Sequence, residues 1–365
     1  MANQLFMITE KRFLDRRKVE KNPDYYPVES NGEMFEMVKA LLEETVYGQP
    51  EACTEVARAI TRSISGLNDP NRPGYVGLFL GEPGVGKTEM GKAVAKIFDP
   101  IDYESRLKVV DCNMFQHSHD AERFLGAPPS YIGYGDETFI TKNFLSQPNV
   151  IVFDEIEKAN ISLHRLLLRI MDKGRLDINE SDDDLCSDEP PGLDFSQSII
   201  ILTSNIGSEA IRDIRMGKGA LGFGTDGEAT KNKDIQKVGV TEAKLFWKHM
   251  PEFLNRIDSM VVFNSLSEEV VYRLIDKFLA EYFTNQDQDA TYIMATDQLK
   301  DWIVSHVDIK LAGRELRRMI ERMIITPAAE VKIKMTKGVP LIADISQDDP
   351  KRVIFWVSKT MIGKV

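Results

Sequence analysis

The chain has 365 residues, of which 42% are hydrophobic and 28% charged, the composition of a globular protein with two or three domains. Its formal charge of −11 at pH 7 is opposite to that of proteins that coat nucleic acid, so we expect no nucleic-acid partner. Three scattered cysteines exclude a disulfide framework and favour a reducing, cytoplasmic location. The charged N-terminus is not a secretory signal, and no apolar run approaches the ~20 residues of a membrane helix.

The first part of the chain predicts two helices followed by an alternating pattern. Residues 1–30 are polar and are interpreted as an extension, and apolar residues at three- and four-residue steps then predict helices over Met34–Leu42 and Glu51–Ser65. Short apolar runs, separated by helix-length segments, predict the buried strands Tyr75–Leu80, Leu107–Val110, Val150–Phe153, Ser198–Thr203 and Met260–Phe263. This alternation predicts an α/β fold with a parallel sheet and helices on both faces.

The pattern changes after Ser265. Helical periodicity extends to about residue 334, and two apolar runs, Leu341–Ile345 and Val353–Val357, predict a pair of strands. We therefore divide the chain into an extension over residues 1–30, a large domain over 31–264 and a small α+β domain over 265–365. Two polar stretches of the large domain, 179–191 and 217–234, are interpreted as surface loops.

The strongest chemical motif lies directly after the first predicted strand. Residues 81–88 read Gly-Glu-Pro-Gly-Val-Gly-Lys-Thr, the G-x-x-x-x-G-K-T pattern of a phosphate-binding loop that opens a helix. Its backbone N–H groups can converge on phosphate oxygens, Lys87 can reach the β- and γ-phosphates, and the Thr88 hydroxyl suits Mg²⁺. The alternative is a chance glycine-rich turn. The motif predicts ATP and Mg²⁺ as ligands of the large domain.

A second motif follows the third predicted strand, which ends in the carboxylates Asp154 and Glu155. Ligands of parallel sheets bind at this carboxyl end of the strands. Asp154 is therefore expected to hold Mg²⁺ through water, and Glu155 to polarise the water that attacks ATP. An Asp-Glu pair after a strand can also serve only to cap a helix. Together with the phosphate loop, the pair indicates nucleotide hydrolysis.

Several further segments occur in the order of one known family. They are Val46–Gln49, Gly66–Pro73, Leu125–Tyr134, Asp154–Ala159, Pro251–Asp258 and Ala312–Arg318. The chain resembles AAA+ ATPases of the Clp family, closest to the second ATPase module of ClpA, ClpB and ClpC, over about residues 46–322. The resemblance implies a P-loop domain with three α/β/α layers, followed by a small lid domain. It also implies a hexameric ring that hydrolyses ATP and threads protein through its pore.

The resemblance assigns roles to individual residues of the nucleotide site. Val46 and Tyr47 match the adenine pocket, and Gly84, Val85, Gly86 and Glu89 belong to the phosphate loop and its helix. Asn205 matches the first sensor, which holds the hydrolytic water, and Arg314 matches the second sensor on the lid. Arg256 matches the arginine finger that reaches the neighbouring subunit's nucleotide.

Each of these three roles has a structural alternative. Asn205 can merely cap a turn. Arg256 can form a surface ion pair with Asp258 or Glu252. Arg314 can be one more charge on a basic helix face.

Two segments match loops that contact other proteins in the Clp family. Tyr131, Ile132 and Gly133 match the pore loop that grips an extended polypeptide, although the family usually has Gly at position 130 and Val at 132, and a loop tyrosine often packs locally. The segment Leu221-Gly222-Phe223 resembles the loop by which unfoldases dock on the ClpP peptidase. Its alternative is that Phe223 anchors the loop on its own domain.

The sequence predicts an ATP-driven protein unfoldase or remodelling motor, expected to form a single homo-oligomeric ring with protein substrates. Alternatives are an unfoldase that feeds a ClpP-type peptidase or works with an adaptor, a non-threading assembly ATPase and a nucleic-acid motor, the last disfavoured by the negative charge. The acidic residues within 182–189 are interpreted as a solvated insertion. Cys112, His117 and His119 lack the spacing of a metal site.

Overall fold

The computed structural model describes residues 32–117, 140–176, 192–215, 228–284, 292–307, 312–333, 340–349 and 352–357. The helices of these ranges are α1 (Glu33–Thr45), α2 (Pro50–Ile64), α3 (Lys87–Phe98), α4 (Lys142–Leu145), α5 (Ile161–Lys173), α6 (Ser208–Arg215), α7 (Glu228–Phe246), α8 (Pro251–Leu254), α9 (Glu268–Thr284), α10 (Asp297–His306), α11 (Ala312–Ile320) and α12 (Thr326–Ile333). A π-helical turn, Glu321–Ile325, joins α11 to α12. None of the helices described is long and apolar enough to cross a membrane.

The strands form a central sheet and two smaller ones. They are β1 (Tyr75–Leu80), β2 (Leu107–Asp111), β3 (Asn149–Asp154), β4 (Arg175–Leu176), β5 (Leu193–Asp194), β6 (Ser198–Ser204), β7 (Ser259–Val262), β8 (Ile293–Ala295), β9 (Leu341–Ile345) and β10 (Val353–Val357). The central sheet has the order β2–β3–β6–β1–β7, and all its strands are parallel. The predicted parallel α/β fold is therefore confirmed.

Strand β1 shows how helices cover both faces of this sheet. Val76, Leu78 and Leu80 point into a core completed by α5, α7 and α8, whereas Tyr75 and Phe79 point into a second core completed by α1, α2 and α3. Because side chains alternate along a strand, a strand buried on both faces is apolar throughout, which explains the unbroken apolar runs of the sequence. Every residue of β1 and β6 is buried.

The residues from Leu266 onward build a separate, smaller core. Its apolar side chains come from α9, α10, α11 and the mixed sheet β10–β9–β8. The predicted strands Leu341–Ile345 and Val353–Val357 pair antiparallel as β9 and β10. Strand β8 pairs parallel to β9 and was missed by the sequence analysis, because three residues are too few to show an alternating pattern.

One loop prediction is partly wrong. Residues 217–234 were interpreted as a surface loop, but α7 begins at Glu228 and continues to Phe246. Ile235 and Ala243 of this helix are buried in the core, and a Cβ at Gly239 would lie 2.5 Å from Val262 Cγ2. Close packing against β7 stabilises a helix whose first turns are polar, since tertiary contacts override local propensity.

Candidate nucleotide-binding site

The predicted phosphate loop joins β1 to α3. Three of its glycines, Gly81, Gly84 and Gly86, have φ of 142°, 80° and 102°, and this left-handed region strains any residue with a Cβ. Gly86 is the N-cap of α3 and offers no capping side chain, so the first N–H groups of the helix remain available to an anion. The sequence thus dictates a loop shaped to bind phosphate.

Lys87 is a buried cation at the start of α3. Its Nζ donates to the backbone oxygens of Gly81, at 2.6 Å, and Glu82, at 2.9 Å, and to Asn205 Oδ1 at 3.0 Å. Burial lowers the pKa of Lys87 to about 8, and the negative charges of Glu157, Asp154 and Glu155 oppose that shift. The ammonium group is therefore fixed beside the loop before any phosphate binds.

Asp154, at the end of β3, joins the phosphate loop to β6. Its Oδ1 accepts hydrogen bonds from Thr88 Oγ1 at 3.0 Å and from Thr203 Oγ1 at 2.5 Å. A hydroxyl and a carboxylate side by side are the oxygen ligands that Mg²⁺ prefers, directly or through water. The residues present therefore fit the predicted magnesium ion. Thr203 was predicted only as a strand residue.

Glu155 has an unusual backbone. Its φ of 57° and ψ of 52° are left-handed, and among the residues described it is the only one besides glycines with positive φ. Such conformations cost about 1–3 kcal/mol and persist where the surroundings enforce them. Here the Glu155 N–H donates to Thr203 Oγ1 at 3.1 Å. The backbone therefore leaves the extended course of β3 at Glu155 and enters a short turn.

Two amides hold the Glu155 carboxylate. Asn205 Nδ2 donates to Oε1 at 3.2 Å, and Asn113 Nδ2 donates to Oε2 at 2.9 Å. Asn113 also donates to Asp111 Oδ1, at the end of β2. The sequence analysis missed Asn113, although its place directly after a parallel strand was an available signal, because β2, β3 and β6 end at the same sheet edge.

A cavity of about 550 Å³ lies above these residues. The predicted nucleotide residues that line it are Val46, Tyr47, Gly84, Val85, Gly86, Lys87, Thr88, Glu89, Asp154, Glu155, Asn205 and Arg314. The lid closes its far side with Leu274, Phe278 and Lys277, and Lys277 Nζ lies 3.6 Å from the Glu89 carboxylate. The Tyr47 ring faces the Arg273 guanidinium at 4.4 Å. Lys277 and Arg273 were not identified from the sequence.

Helix α11 brings Arg314 to the phosphate loop. The preceding residue, Gly313, lies so close that a Cβ there would stand 2.3 Å from the Gly84 oxygen. Only glycine permits this approach of helix and loop. The exposed Arg314 lines the cavity, and its positive charge is one of the influences that lower the pKa of Lys87.

Two buried polar side chains tie the phosphate loop to the start of the lid. Gln49 Nε2 donates to the backbone oxygens of Val85, at 3.2 Å, and Asn264, at 2.8 Å, while Gln49 Oε1 accepts from the Asn264 N–H at 2.7 Å. The Glu82 carboxylate accepts from Ser265 Oγ at 2.7 Å. The Asn264–Ser265 junction is therefore bonded directly to the loop that would hold phosphate.

Arg256 does not line the cavity. Its guanidinium is exposed and lies 2.7 Å from Asp172 Oδ1, at the end of α5, rather than beside Asp258 or Glu252. Arg72 Nη2 donates to the Arg256 backbone oxygen at 3.1 Å and lies 3.7 Å from Asp258 Oδ1. Of the predicted nucleotide residues within the described ranges, Arg256 alone does not line the cavity.

The remaining predictions fall elsewhere. The pore-loop residues Tyr131, Ile132 and Gly133, the segment Leu221-Gly222-Phe223, the extension 1–30 and the acidic stretch 179–191 lie outside the described residues. Cys53 and Cys112 are buried free thiols, and burial raises the pKa of Cys53 to about 12. The described part of the chain contains no group of three or more His, Cys, Asp or Glu residues that could hold a metal ion.

A phosphate loop at the end of β1, with paired carboxylates at the end of the parallel strand β3, defines a P-loop nucleoside triphosphatase domain. A family model described as AAA domain (Cdc48 subfamily) matches residues 72–260, more than half of the chain, and the chain belongs to this family of ATPases. The resemblance to Clp ATPases is thereby confirmed at the level of the family.

Individual relatives agree with this assignment. The chain is 31% identical to a ClpA homolog of Porphyra purpurea described as an ATP-dependent Clp protease ATP-binding subunit, over 89% of this chain and 38% of the relative. It is 34% identical to the chaperone protein ClpB of Enterococcus faecalis, over 83% of this chain and 32% of the relative. The chain therefore spans only about a third of the length of these relatives.

A solved structure extends the comparison to three dimensions. The Saccharomyces cerevisiae Hsp104:casein complex in its extended conformation superposes with a TM-score of 0.71 at 27% identity, covering 91% of this chain and 53% of the Hsp104 chain. The chain thus corresponds to about half of that polypeptide.

Proposed function

We propose that this chain is an ATP-driven protein-remodelling motor that works as a homo-oligomeric ring, a hexamer, in the cytoplasm. The observation that carries the proposal is the continuous network Lys87–Asn205–Glu155, which joins a phosphate-holding cation to a water-polarising carboxylate through one amide. The buried free thiols of Cys53 and Cys112 support a reducing compartment.

The binding step uses the phosphate loop and Lys87. The N–H groups at the start of α3 and the Lys87 ammonium would receive the phosphates, while Thr88 and Asp154 would hold Mg²⁺. When bound, the ion neutralises phosphate charge. On binding, a γ-phosphate would compete with the backbone oxygens of Gly81 and Glu82 for the Lys87 N–H donors.

The hydrolytic step uses Glu155. A carboxylate held by Asn113 and Asn205 cannot rotate freely, so it can accept a proton from water at one position. Arg256, which faces away from its own cavity, would enter the neighbouring subunit's site and stabilise the charge that develops there. A ring supplies each site with such a neighbour, which is the reason for including an oligomer in the proposal.

The work performed is assigned to protein substrates. Two comparisons support this assignment. The relative ClpB is described as a chaperone protein, and the Hsp104 structure is a complex with the protein casein. Tyr131 would grip the chain in the pore, because an aromatic side chain gives large contact area without sequence preference.

The test replaces Glu155 by Gln, which keeps the shape of the side chain and removes its basicity. Glu155→Gln should retain ATP yet release phosphate about 10²- to 10⁴-fold more slowly. Tyr131→Ala should hydrolyse ATP normally but fail to unfold a fluorescent tagged substrate. Normal turnover by Glu155→Gln would contradict the catalytic assignment, and normal unfolding by Tyr131→Ala would contradict threading in favour of a non-threading assembly ATPase.

A second candidate function is delivery of substrate to a separate ClpP-type peptidase. It is favoured by the ClpA homolog and by the ClpC relative of Staphylococcus aureus, both described as ATP-binding subunits of an ATP-dependent Clp protease. Replacing Leu221 and Phe223 together by Ser should abolish co-sedimentation with such a peptidase and leave the ATPase rate unchanged. If the unmodified chain does not co-sediment in the presence of ATP, an autonomous remodelling motor is the better assignment.

A further inference from the structure

Glu157 lies two residues after Glu155, within the short 3-10 turn Ile156–Lys158. Its Oε1 accepts a hydrogen bond from the backbone N–H of Asn205 at 3.0 Å. Its Oε2 is buried and makes no hydrogen bond within the described part of the chain. A buried carboxylate oxygen without a partner costs folding free energy, so stability alone does not explain an acidic residue at this position.

The bond matters because of where Asn205 stands. Strand β6 ends at Ser204, so the Asn205 N–H lies beyond the sheet ladder and takes the Glu157 carboxylate as its acceptor. The Asn205 side chain meanwhile contacts two functional groups, accepting from Lys87 Nζ and donating to Glu155 Oε1. A shift of the Asn205 backbone would therefore move both ends of that bridge.

A backbone hydrogen bond also fixes the turn that contains Glu157. The Lys158 N–H donates to the Glu155 backbone oxygen at 2.9 Å, which closes the turn after the left-handed Glu155. The Glu157 carboxylate thus links the end of β3 to the end of β6, and these two strands are adjacent and parallel. Its carboxylate fixes the distance between the residue that polarises water and the residue that holds it.

We propose that Glu157 is a positioning residue for ATP hydrolysis: its carboxylate holds the Asn205 peptide so that the Asn205 amide bridges Lys87 and Glu155. The inference rests on the proposed function, which assigns Asn205 and Glu155 to hydrolysis. Displacement of such a bridge by about 1 Å can slow a reaction about 100-fold without loss of binding. Loss of the Glu157 acceptor should therefore slow turnover, whereas loss of its charge, which opposes the lowering of the Lys87 pKa, acts on affinity.

The experiment compares three substitutions in the full chain. Glu157→Ala removes the acceptor and should lower kcat about 100-fold. Glu157→Gln keeps an acceptor oxygen of the right length without the charge and should recover most of kcat. Glu157→Asp keeps the charge but withdraws the acceptor by one methylene, so it should resemble Glu157→Ala. This contrast decides the question even if Glu157→Ala does not fold.

Glu209→Ala is the matched control, because Glu209 is an exposed carboxylate on α6, the helix that follows Asn205. It should turn over at the parent rate. Equal losses in Glu157→Gln and Glu157→Ala, full activity of Glu157→Asp, or a change in KM alone would each overturn the inference.

A double-mutant cycle tests whether Glu157 acts through Asn205. In an Asn205→Ala background, Glu157→Ala should lower kcat no further, because the amide that it positions is gone. If Glu157→Ala lowers kcat in the Asn205→Ala background as much as it does in the parent chain, the inference is overturned. If Asn205→Ala is active while Glu155→Gln is not, the role of Asn205 in the proposed function fails together with the inference. If Asn205→Ala is inactive and Glu157→Ala is active, the inference fails alone.

Discussion

Lys87 and Arg256 are two cations with predicted roles at ATP, and their surroundings differ in every respect. Lys87 is buried and donates to three oxygens, two of them backbone oxygens of its own loop. Arg256 is exposed and its side chain is paired with one carboxylate, Asp172, that is exposed as well. A buried, saturated cation has one position, whereas an exposed ion pair of this kind contributes at most about 1 kcal/mol and is easily exchanged for another partner.

The difference is the one expected if the site is divided between subunits, as proposed for the ring. A group that must be present whenever nucleotide binds is best fixed within one chain, and burial does this for Lys87. In the proposed ring Arg256 would act only after assembly, and an exposed side chain with a weak partner suits that role. The backbone of Arg256 is nevertheless anchored, because its oxygen accepts a hydrogen bond from Arg72 Nη2.

The largest expected effect is on Arg256. Arg256→Ala should slow turnover about 10³-fold while ATP binding persists, because an arginine finger stabilises charge only in the transition state. Rings mixed from Arg256→Ala and Glu155→Gln subunits should regain phosphate release, since some interfaces combine an intact site with an intact arginine.

Arg175→Ala is the control for Arg256→Ala, because Arg175 is another exposed arginine, paired with Asp194 at 2.9 Å. It should have no comparable effect on turnover. No recovery of activity in rings shown to be mixed would assign Arg256 to its own subunit or to a purely structural role.

The next effect is on Lys87. Lys87→Ala should weaken ATP binding about 10- to 100-fold, because hydrogen bonds from a charged donor are lost in the bound state. Equilibrium binding of a fluorescent nucleotide measures this directly. Lys96→Ala on the exposed face of the same helix is the control and should bind normally. If Lys87→Ala binds normally and only turns over slowly, the division between the two cations is wrong.

The smallest expected effect is on the pH dependence of the free energy of unfolding, through the packing of α5 against α8 near Arg256. His164 of α5 packs edge-on against Phe253 of α8, at 5.0 Å between ring centroids, and burial lowers the pKa of His164 below its ordinary value of 6.5. The folded state therefore disfavours protonation of His164, so the stability contributed by the neutral imidazole is fully present above pH 6.5. As pH falls below 6.5, the free energy of unfolding should fall by at most about 1.4 kcal/mol per pH unit.

Denaturant titrations between pH 7.5 and 5 measure the pH effect of His164. His164→Leu should remove this part of the slope. An unchanged slope in His164→Leu would show that other groups cause the loss of stability.

The sequence predicted the strands of the central sheet closely because their signals are local. Strand β1 has the predicted bounds, Tyr75–Leu80, since a strand buried on both faces must be apolar along its whole length. The phosphate loop was equally predictable, because each of its glycines has a positive φ that other residues adopt only with strain. Strand β8 and the early start of α7 were not predicted, since contacts made by distant residues stabilise them.

Motif and order identified many of the residues that line the cavity, but only the tertiary structure decided their connections. Asn113, Thr203 and Lys277 carry no motif, and they reach the site because separate strands and a lid helix converge there. Gln49 bonds Asn264 across 215 positions of sequence. Local periodicity and backbone preference fix elements and turns, whereas hydrogen bonds between distant segments, and the outward direction of Arg256, exist only once the chain has folded.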